Sequence, residues 1–440
     1  MGEGQEESRV NKLDRKNTLL VGVTLFSMFF GAGNLIFPPF LGAQAGTNTW
    51  WAFVGFAFSA IGLPVLGVVA VALSGGLPQL SGRVGPRFAF VFTLLIYLSI
   101  GPCLAIPRTA STSFSMAVAP FAGSALWLRV LYALVFFVIA FLIALKPEKI
   151  SAVLGRITGP LLLLLIFAIV VACLLHPPGE YGEALGVYAQ TPLPQGFIDG
   201  YQTMDAIAAL NFGIVIAENI ENRGVREEKS VVSATIRAGW IAGAFLLVVY
   251  ASLTHIGAMG GAKFPEATDG TQVLAQLSNL QFGPVGTAIL GGVFFIACLN
   301  TCIGLLSCCG TYFHSQWPKL SVPAWVGVFA IISFFISIAG LDTILKVSVP
   351  VLGIIYPVAI VLILMGIFHH FIERLYLSYF WCVLFTAIIS ILSQFGIGQS
   401  LLLHLPFYTM GLGWVVPALI GFVLGAIFSF LFPKRQGMFR

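Results

Sequence analysis

A run of small residues and one amide interrupts a long apolar stretch near the start of the chain. It consists of Gly31, Ala32, Gly33 and Asn34, and a pair of prolines follows one turn later. Glycine lets the backbone approach a ligand closely, and a helix that restarts here presents free N–H groups and a positive dipole end. The pattern therefore predicts a helix break at which the backbone binds a carboxylate.

A weaker interruption of the same kind lies at Asn211, Phe212 and Gly213, between two apolar stretches. Inside a membrane, unwound backbone is tolerated only where protein or a water-filled cavity satisfies it, so interruptions mark functional sites. Carbonyl groups freed by a break here could accept hydrogen bonds from an ammonium group. Leu210 could serve equally well if the break lies one residue earlier.

Two charged residues lie in apolar surroundings close to these interruptions. Asp205 precedes the second interruption by about two turns of helix, and Arg108 lies in the outer half of the third predicted helix. Ionisable residues inside a membrane are costly and usually functional, and these two could pair as an outer gate. A static ion pair, or two separately solvated groups, is the alternative interpretation.

The composition is that of a membrane protein, because 58% of the 440 residues are apolar and only 9% are charged. Such a chain cannot form a water-soluble surface, which excludes soluble enzymes and nucleic-acid-binding proteins. About 20 apolar residues span the hydrocarbon core as a helix. Hydropathy then predicts twelve transmembrane helices, at residues 18–44, 49–74, 88–114, 124–145, 151–175, 200–219, 231–257, 284–313, 323–340, 343–368, 377–395 and 411–432.

The distribution of Lys and Arg predicts the orientation of these helices. Most of the 22 basic residues fall on one side of the membrane if both termini lie in the cytoplasm, as the positive-inside rule requires. The chain is therefore predicted to have a cytoplasmic N-terminal tail at residues 1–17 and a cytoplasmic C-terminal tail at residues 433–440.

The two interruptions fall in predicted helices 1 and 6, which an odd number of membrane crossings separates. The second half of the chain is then inverted relative to the first, which is the arrangement of secondary transporters with a site at two broken helices. We predict an all-α polytopic membrane protein with a 5+5 inverted repeat. Its repeats are residues 18–175 and 200–368, joined by an outer loop at 176–199, and two further helices follow at 369–432.

Three segments closely resemble the bacterial branched-chain amino acid:cation symporter family: GAGNLIFPPFLG in helix 1, GPCLAIPRTA in helix 3 and LNTCIGLLSCCG in helix 8. The resemblance covers essentially the whole chain. It implies sodium-driven uptake of leucine, isoleucine and valine across a bacterial inner membrane. It also implies the fold of the bacterial leucine transporter, although Ile36 stands where that more distant relative has its gating arginine.

The resemblance also implies a site for an amino acid zwitterion. The carboxylate is expected at residues 31–33, and the ammonium at the carbonyls of residues 211–213. Ile100, Phe212 and Tyr97 are expected to line an apolar side-chain pocket. Since one methylene is worth only about 1–3 kcal/mol of discrimination, all three aliphatic substrates should be accepted.

Sodium is the expected co-transported ion, bound by hard oxygen ligands at helix ends. The ligands implied by the superfamily are the carbonyl oxygens of Ser27, Phe30 and Ala297 and the side-chain oxygens of Asn300 and Thr301. Relatives usually have a hydroxyl residue where Asn300 stands. Asn34 could ligate a second ion beside the substrate carboxylate.

Several alternatives share some of these features. A proton-coupled carrier would need a titratable group near the site, for which Asp205 is the candidate, and an amino acid exchanger would share every structural feature. The sequence lacks the selectivity filter of a channel, the metal ligands of a divalent-metal carrier and the catalytic group of an intramembrane enzyme. We expect no enzymatic activity, no organic cofactor, no nucleic-acid partner and no obligate protein partner.

Overall fold

The chain folds into helices joined by turns and short loops, and no strand occurs among the described residues. The computed structural model describes residues 13–146, 151–261, 263–264, 267 and 269–432. The predicted C-terminal tail and all but the last few residues of the predicted N-terminal tail lie outside the described residues. The predicted all-α class is confirmed.

Ten helices lie among the described residues of the first half of the chain. They are α1 (Arg15–Phe29), α2 (Ala32–Ala45), α3 (Thr49–Ala57), α4 (Leu63–Ser74), α5 (Leu77–Gly82), α6 (Pro86–Leu98), α7 (Ala105–Ala117), α8 (Ala119–Ala122), α9 (Leu126–Ala144) and α10 (Gly159–Leu175). π-Helical turns join α3 to α4 at Phe58–Gly62 and α6 to α7 at Ser99–Cys103, and a third, Ser151–Thr158, precedes α10. Such turns often occur at functional sites within helices.

The described part of the second half also has ten helices. They are α11 (Pro192–Gly200), α12 (Asp205–Glu221), α13 (Glu228–Gly261), α14 (Gly270–Gln316), α15 (Val322–Ser337), α16 (Leu341–Ile367), α17 (His369–Ile372), α18 (Tyr376–Phe395), α19 (Gln399–Leu402) and α20 (Val415–Leu431). Short 3₁₀ turns lie at Gly46–Asn48, Gly186–Ala189, Tyr201–Thr203 and Tyr408–Met410.

These helices are consistent with the twelve predicted spans. Among the described residues, eight helices are long and apolar enough to cross a membrane, or nine if a bent pair counts as one span, and α15 and α20 are shorter apolar helices. Each predicted span coincides with one of the helices or with a consecutive pair. Following the predicted orientation, we call the side at which α1 begins the inner side.

The breaks beside α1 and α12 lie at similar distances from the predicted inner surface, because α1 ends at its break and α12 begins at its break. With 15 residues and 17 residues, at 1.5 Å per residue, the two helices measure about 22 Å and 25 Å. Helical geometry is therefore interrupted at nearly the same depth in both, which is consistent with the predicted inverted repeat. The outer continuations are α2 for the first and α11 with its following 3₁₀ turn for the second.

The broken helices lie at the centre of the molecule. The last nine residues of α1 and the first nine of α12 are buried on every side, which is the pattern of a core helix rather than an amphipathic one. Peripheral helices instead point large apolar side chains outward, as Leu164 and Phe167 of α10 do. An apolar exterior of this kind suits contact with lipid.

Small residues allow α2 and α13 to approach closely. A Cβ at Gly257 would lie 2.0 Å from the carbonyl oxygen of Pro39, and a Cβ at Gly42 would lie 2.0 Å from that of Thr254. No real Cβ atom fits at such distances, so both positions require glycine. This contact holds the outer half of helix 1 against the long helix α13, as small residues do in membrane helix packing.

Candidate functional site

The predicted break in helix 1 is confirmed. Helix α1 ends at Phe29, Phe30 and Gly31 have extended backbone conformations, and α2 begins at Ala32. The side-chain oxygen of Asn34 accepts a hydrogen bond from the Gly31 N–H at 3.0 Å, so Asn34 caps its own helix. The first turn of α2 thus directs N–H groups without intrahelical acceptors toward the interior of the protein.

The predicted break in helix 6 is present, but its predicted position is wrong. Residues 211–213 lie within the continuous helix α12, where the backbone carbonyls belong to the regular helical hydrogen-bond pattern. They therefore offer no freed acceptors for an ammonium group. The break lies instead at Met204, whose φ of 67° is left-handed, and the two halves of the helix meet there at a bend of 44°.

A buried polar network joins the two breaks. Asn34 donates from Nδ2 to Oδ2 of Asp205 at 2.6 Å, and the hydroxyl of Tyr250 donates to the same oxygen at 2.8 Å. Asn34 and Tyr250 are also hydrogen-bonded to each other. The network links α2, α12 and α13, and it gives a buried carboxylate the donors that it needs away from water.

Tyr250 was missed by the sequence analysis. The residue lies in a long apolar segment that forms α13, and its side chain is fully buried. A buried tyrosine hydroxyl normally has a hydrogen-bond partner. That expectation, applied to the one tyrosine of this helix, is the signal that could have identified it.

Arg108 lies directly against both breaks. Its Nη1 donates to the carbonyl oxygen of Gln202 at 2.8 Å and its Nη2 to that of Thr203 at 3.4 Å. The guanidinium carbon is 5.9 Å from the centre of the Phe37 ring, within cation–π range. The Arg108 side chain, which extends from α7, thereby holds the turn that precedes α12 and covers the start of α2.

The structure brings Arg108 and Asp205 to the same cavity without joining them in an ion pair. Both are almost fully buried, at 3% and 2% exposure, and both line the cavity between the breaks. These two described side chains do not form an ion pair. Arg108 donates to backbone carbonyls, and Asp205 accepts from Asn34 and Tyr250. The predicted gate pair is thus two neighbouring groups, each with its own partners.

The cavity between the breaks is small and enclosed by buried residues. Its volume of about 20 Å³ gives room for about one water molecule, so any amino acid would have to push its walls apart. Among the predicted site residues, those that line it are Gly31, Ala32, Gly33, Asn34, Ile100, Arg108, Asp205, Phe212 and Thr301. Those that do not line it are Ser27, Phe30, Tyr97, Asn211, Gly213, Ala297 and Asn300.

Aromatic side chains form the inner wall of the cavity. The rings of Phe29 and Phe212 lie 5.4 Å apart, one from each broken helix. Tyr97 stacks on Tyr312 with ring centres 3.8 Å apart, and neither lines the cavity. Phe29 was missed by the sequence analysis because helix 1 is apolar on all sides and its pattern does not distinguish the face toward the cavity.

Three of the predicted sodium ligands, Ser27, Phe30 and Thr301, lie at the end of α1. The Thr301 hydroxyl donates to the carbonyl oxygen of Met28 at 2.9 Å, and a Cβ at Gly31 would lie 2.5 Å from that hydroxyl oxygen. The Ser27 hydroxyl donates to the carbonyl oxygen of Leu154 at 3.1 Å. Helix α14 thus presents a hydroxyl oxygen to carbonyls at the negative end of α1, a suitable environment for a cation.

Two buried asparagines have side-chain amides without hydrogen-bond partners. Both polar atoms of Asn300, and both of Asn211, are buried and unpaired. An unpaired buried amide is unusual and calls for an ion or a water molecule as partner. For Asn300, beside Thr301 on α14, this fits the predicted role as an oxygen ligand of a cation.

Known proteins resemble this chain along its full length. Residues 14–431 match the family described as branched-chain amino acid transport protein. The branched-chain amino acid permease BraB of Bacillus subtilis is 37% identical over 438 residues, which cover 97% of this chain and 98% of the permease. The branched-chain amino acid transport system 3 carrier protein of Pseudomonas aeruginosa is 38% identical over 417 residues, covering 93% and 95%.

A solved structure shows the same fold at much lower sequence identity. Mhp1, a nucleobase-cation-symport-1 family transporter, in a closed conformation with bromovinylhydantoin bound, gives a TM-score of 0.59 at 15% identity, covering 95% of this chain and 94% of Mhp1. This likeness confirms the predicted leucine-transporter fold.

Proposed function

Because the chain belongs to the family of branched-chain amino acid transport proteins, we propose that it carries leucine, isoleucine and valine into a bacterial cell in symport with sodium. The substrate binds between the two helix breaks, and the protein exposes this site to each side of the membrane in turn. The chain resides in the inner membrane with both termini in the cytoplasm.

One observation carries this proposal: the two breaks enclose a cavity that is polar at one end and apolar at the other. Asn34, Arg108 and Asp205 lie at the polar end, and Ile100 and Phe212 contribute apolar surface. An amino acid with an aliphatic side chain likewise has a polar end, its ammonium and carboxylate groups, and an apolar end, its side chain. Burying a side chain of this size in an apolar pocket contributes about 1.5–3 kcal/mol, and a charged side chain would find no partner at that end.

Opening the site requires different contacts to separate on each side. Toward the outside, Arg108 bridges from α7 to the carbonyls of Gln202 and Thr203. Toward the inside, Phe29 packs against Phe212. Release of the first contact with retention of the second gives an outward-facing state, and the reverse gives an inward-facing state, as alternating access requires.

Sodium binds at the end of α1 in this proposal. The ligands are the carbonyls of Ser27, Phe30 and Ala297 with the side-chain oxygens of Asn300 and Thr301. The unpaired amide of Asn300 and the Thr301 hydroxyl beside the break support this set. Because the carbonyls of Ser27 and Phe30 lie at the end of α1, beside the break that holds the substrate in this proposal, occupation by sodium shapes the substrate site.

Proton coupling is the alternative that a specific observation favours. Asp205 is a buried carboxyl on the wall of the cavity, and intramembrane carboxyl groups serve as proton relays in transporters. A carrier of this kind would take up leucine in response to a proton gradient without sodium. An amino acid exchanger would instead need an amino acid on the opposite side.

Uptake into proteoliposomes separates the three mechanisms. Purified protein is reconstituted in sodium-free buffer and diluted into medium with radiolabelled leucine, with sodium or choline outside, at equal pH or with an inward proton gradient. We expect accumulation above equilibrium only with an inward sodium gradient. Accumulation in choline driven by protons would refute sodium coupling, and uptake only into leucine-loaded vesicles would identify an exchanger.

A further inference from the structure

We propose that Arg108 and Asp205 recognise the two charged ends of the substrate, with the guanidinium binding the α-carboxylate and the aspartate carboxylate binding the α-ammonium. This inference rests on the proposed function and names the groups that select a free amino acid. It replaces the ammonium site predicted at the carbonyls of α12, which the continuity of that helix rules out.

The position of Arg108 suits it to bind an anion together with α2. A Cβ at Gly33 would lie 2.8 Å from Nη2 of Arg108, so in the closed form the guanidinium touches the first turn of α2. The N-terminus of a helix carries partial positive charge, and a guanidinium placed there meets a like charge. When the cavity expands, a carboxylate that enters between the two would accept hydrogen bonds from both, which is the most favourable use of each.

Arg108 has donors to spare for a carboxylate. A guanidinium carries five N–H donors in a planar fork, and two backbone carbonyls, those of Gln202 and Thr203, receive its described hydrogen bonds. Bidentate pairing with a carboxylate is the arrangement that suits this fork best. The same carbonyls hold the side chain within reach of the cavity before substrate arrives.

Asp205 is oriented as an acceptor for a cation. Asn34 and Tyr250 both donate to its Oδ2, which fixes the plane of the carboxylate at the wall of the cavity. A carboxylate has acceptor sites beyond these two. It lies in the first turn of α12, at the break itself, where a ligand can approach without unwinding the helix.

The charges of the site and of the substrate match. The cavity is lined by one arginine and one aspartic acid side chain, both almost fully buried, and the two do not form an ion pair with each other. Buried charges are stable only with partners. A zwitterion gives each of them an opposite charge and leaves the site neutral, whereas an amine or a carboxylic acid alone would leave one of them without its partner.

Substrate analogues test the assignment one charge at a time. Leucinamide lacks the carboxylate, and 4-methylpentanoate lacks the ammonium. Competition against radiolabelled leucine, measured as binding to protein in nanodiscs, gives affinities even for variants that do not transport. In the wild type we expect each analogue to bind roughly 10- to 100-fold more weakly than leucine, as loss of a charge-assisted hydrogen bond implies.

Variants should remove these preferences selectively. Arg108→Gln should reduce the preference for leucine over leucinamide by roughly tenfold or more, and Asp205→Asn should do the same for leucine over 4-methylpentanoate. Each should leave the other preference nearly unchanged. Arg129→Gln is the matched control, because Arg129 lines a separate outer pocket, and it should alter neither preference.

Other outcomes would overturn the inference. If Arg108→Gln weakened leucine and leucinamide equally, Arg108 would be a structural or gating residue and not a ligand of the carboxylate. Should Arg108→Gln or Asp205→Asn fail to fold, Arg108→Lys and Asp205→Glu retain the charge but alter its position, and each should still reduce the corresponding preference; unchanged preferences in both would refute the assignment. Wild-type protein that binds leucine but binds both analogues as tightly would refute this inference only, whereas wild-type protein that binds no leucine would refute the proposed function as well.

Discussion

Gly33, in the first turn of α2, has little space for a side chain. An added Cβ would lie 2.8 Å from Arg108 Nη2, 3.1 Å from Thr203 Cα and 3.2 Å from the Gln202 carbonyl oxygen. Position 33 therefore sets how closely the turn before α12 and the arginine can cover the start of α2. Both partners belong to the proposed site, so the cost of a larger residue falls on substrate binding.

Gly33→Val should abolish leucine uptake, because the branched side chain would occupy the space of the substrate carboxylate and displace Arg108. Sodium-driven leucine uptake into proteoliposomes measures this loss, and size-exclusion chromatography shows whether the variant folds. Gly292→Val is the control, since a Cβ at Gly292 meets no neighbouring atom within 4 Å. Robust uptake by Gly33→Val would show that the substrate binds elsewhere.

Phe212→Leu should enlarge the apolar end of the cavity and shift preference toward larger side chains such as that of phenylalanine. The shift is expected to be about 1–3 kcal/mol, the range for small volume changes in a pocket. Competition of unlabelled amino acids with leucine uptake measures it. The sodium dependence should stay the same, and Phe167→Leu on the exposed side of α10 should change neither property. A changed sodium curve with unchanged preference would remove Phe212 from the pocket.

Thr301→Ala should raise the sodium concentration for half-maximal uptake. Loss of one ligand worth about 1–2 kcal/mol corresponds to a shift of roughly 5- to 30-fold. Thr301→Ser keeps the hydroxyl and should restore most of the sodium affinity, whereas a purely structural role of the threonine methyl group would leave Ser as defective as Ala. An unchanged sodium curve in Thr301→Ala would exclude Thr301 from the coordination set.

At the level of helices, the sequence predicted the two breaks with different accuracy. The first break was located correctly because Gly31, Gly33 and Asn34 are residue types that favour interruption of a helix. The second lies at Met204, where neither glycine nor proline is present and a left-handed φ of 67° is imposed by packing. Such strain persists only where the surroundings over-determine the conformation, and a single sequence does not show those surroundings.

The sequence did contain a sign of the second break. Asp205 is a lone charge in an apolar segment, and its structural role is to begin α12 with an acidic residue in the first turn, where the helix dipole favours it. The outer half of helix 6 was also missed, because α11 contains proline and polar residues and has the composition of a loop. Site residues brought together by this break, such as Thr203 and Tyr250, depend on tertiary contacts across the fold.

The contact between α2 and α13 offers a test at this scale. Gly257→Ala should destabilise the protein by about 1–3 kcal/mol, because the added methyl group would lie 2.0 Å from the Pro39 carbonyl oxygen. Thermal unfolding in detergent gives the change in melting temperature, with Gly292→Ala as the control in open space. Equal melting temperatures for the two variants would mean that α2 and α13 do not pack as tightly as described.

For the molecule as a whole, the all-α fold followed from composition and hydropathy, since every predicted span coincides with helix. Its closed form, with Arg108 and the Phe29–Phe212 pair on opposite sides of a cavity of about 20 Å³, did not follow, because hydropathy reports burial and not which helices meet. Transport by the proposed route requires that this cavity expand to hold an amino acid. The proposed substrate site lies where two helices of opposite orientation lose their regular hydrogen bonds at matching depth.

The most direct test is a cryo-electron microscopy structure of the protein in nanodiscs with leucine and sodium. We predict density for leucine between the start of α2 and Asp205, with its carboxylate toward Arg108, its side chain toward Phe212, and a cavity larger than the present one. Leucine found in another pocket, with the residues of the two breaks still in mutual contact, would contradict the account.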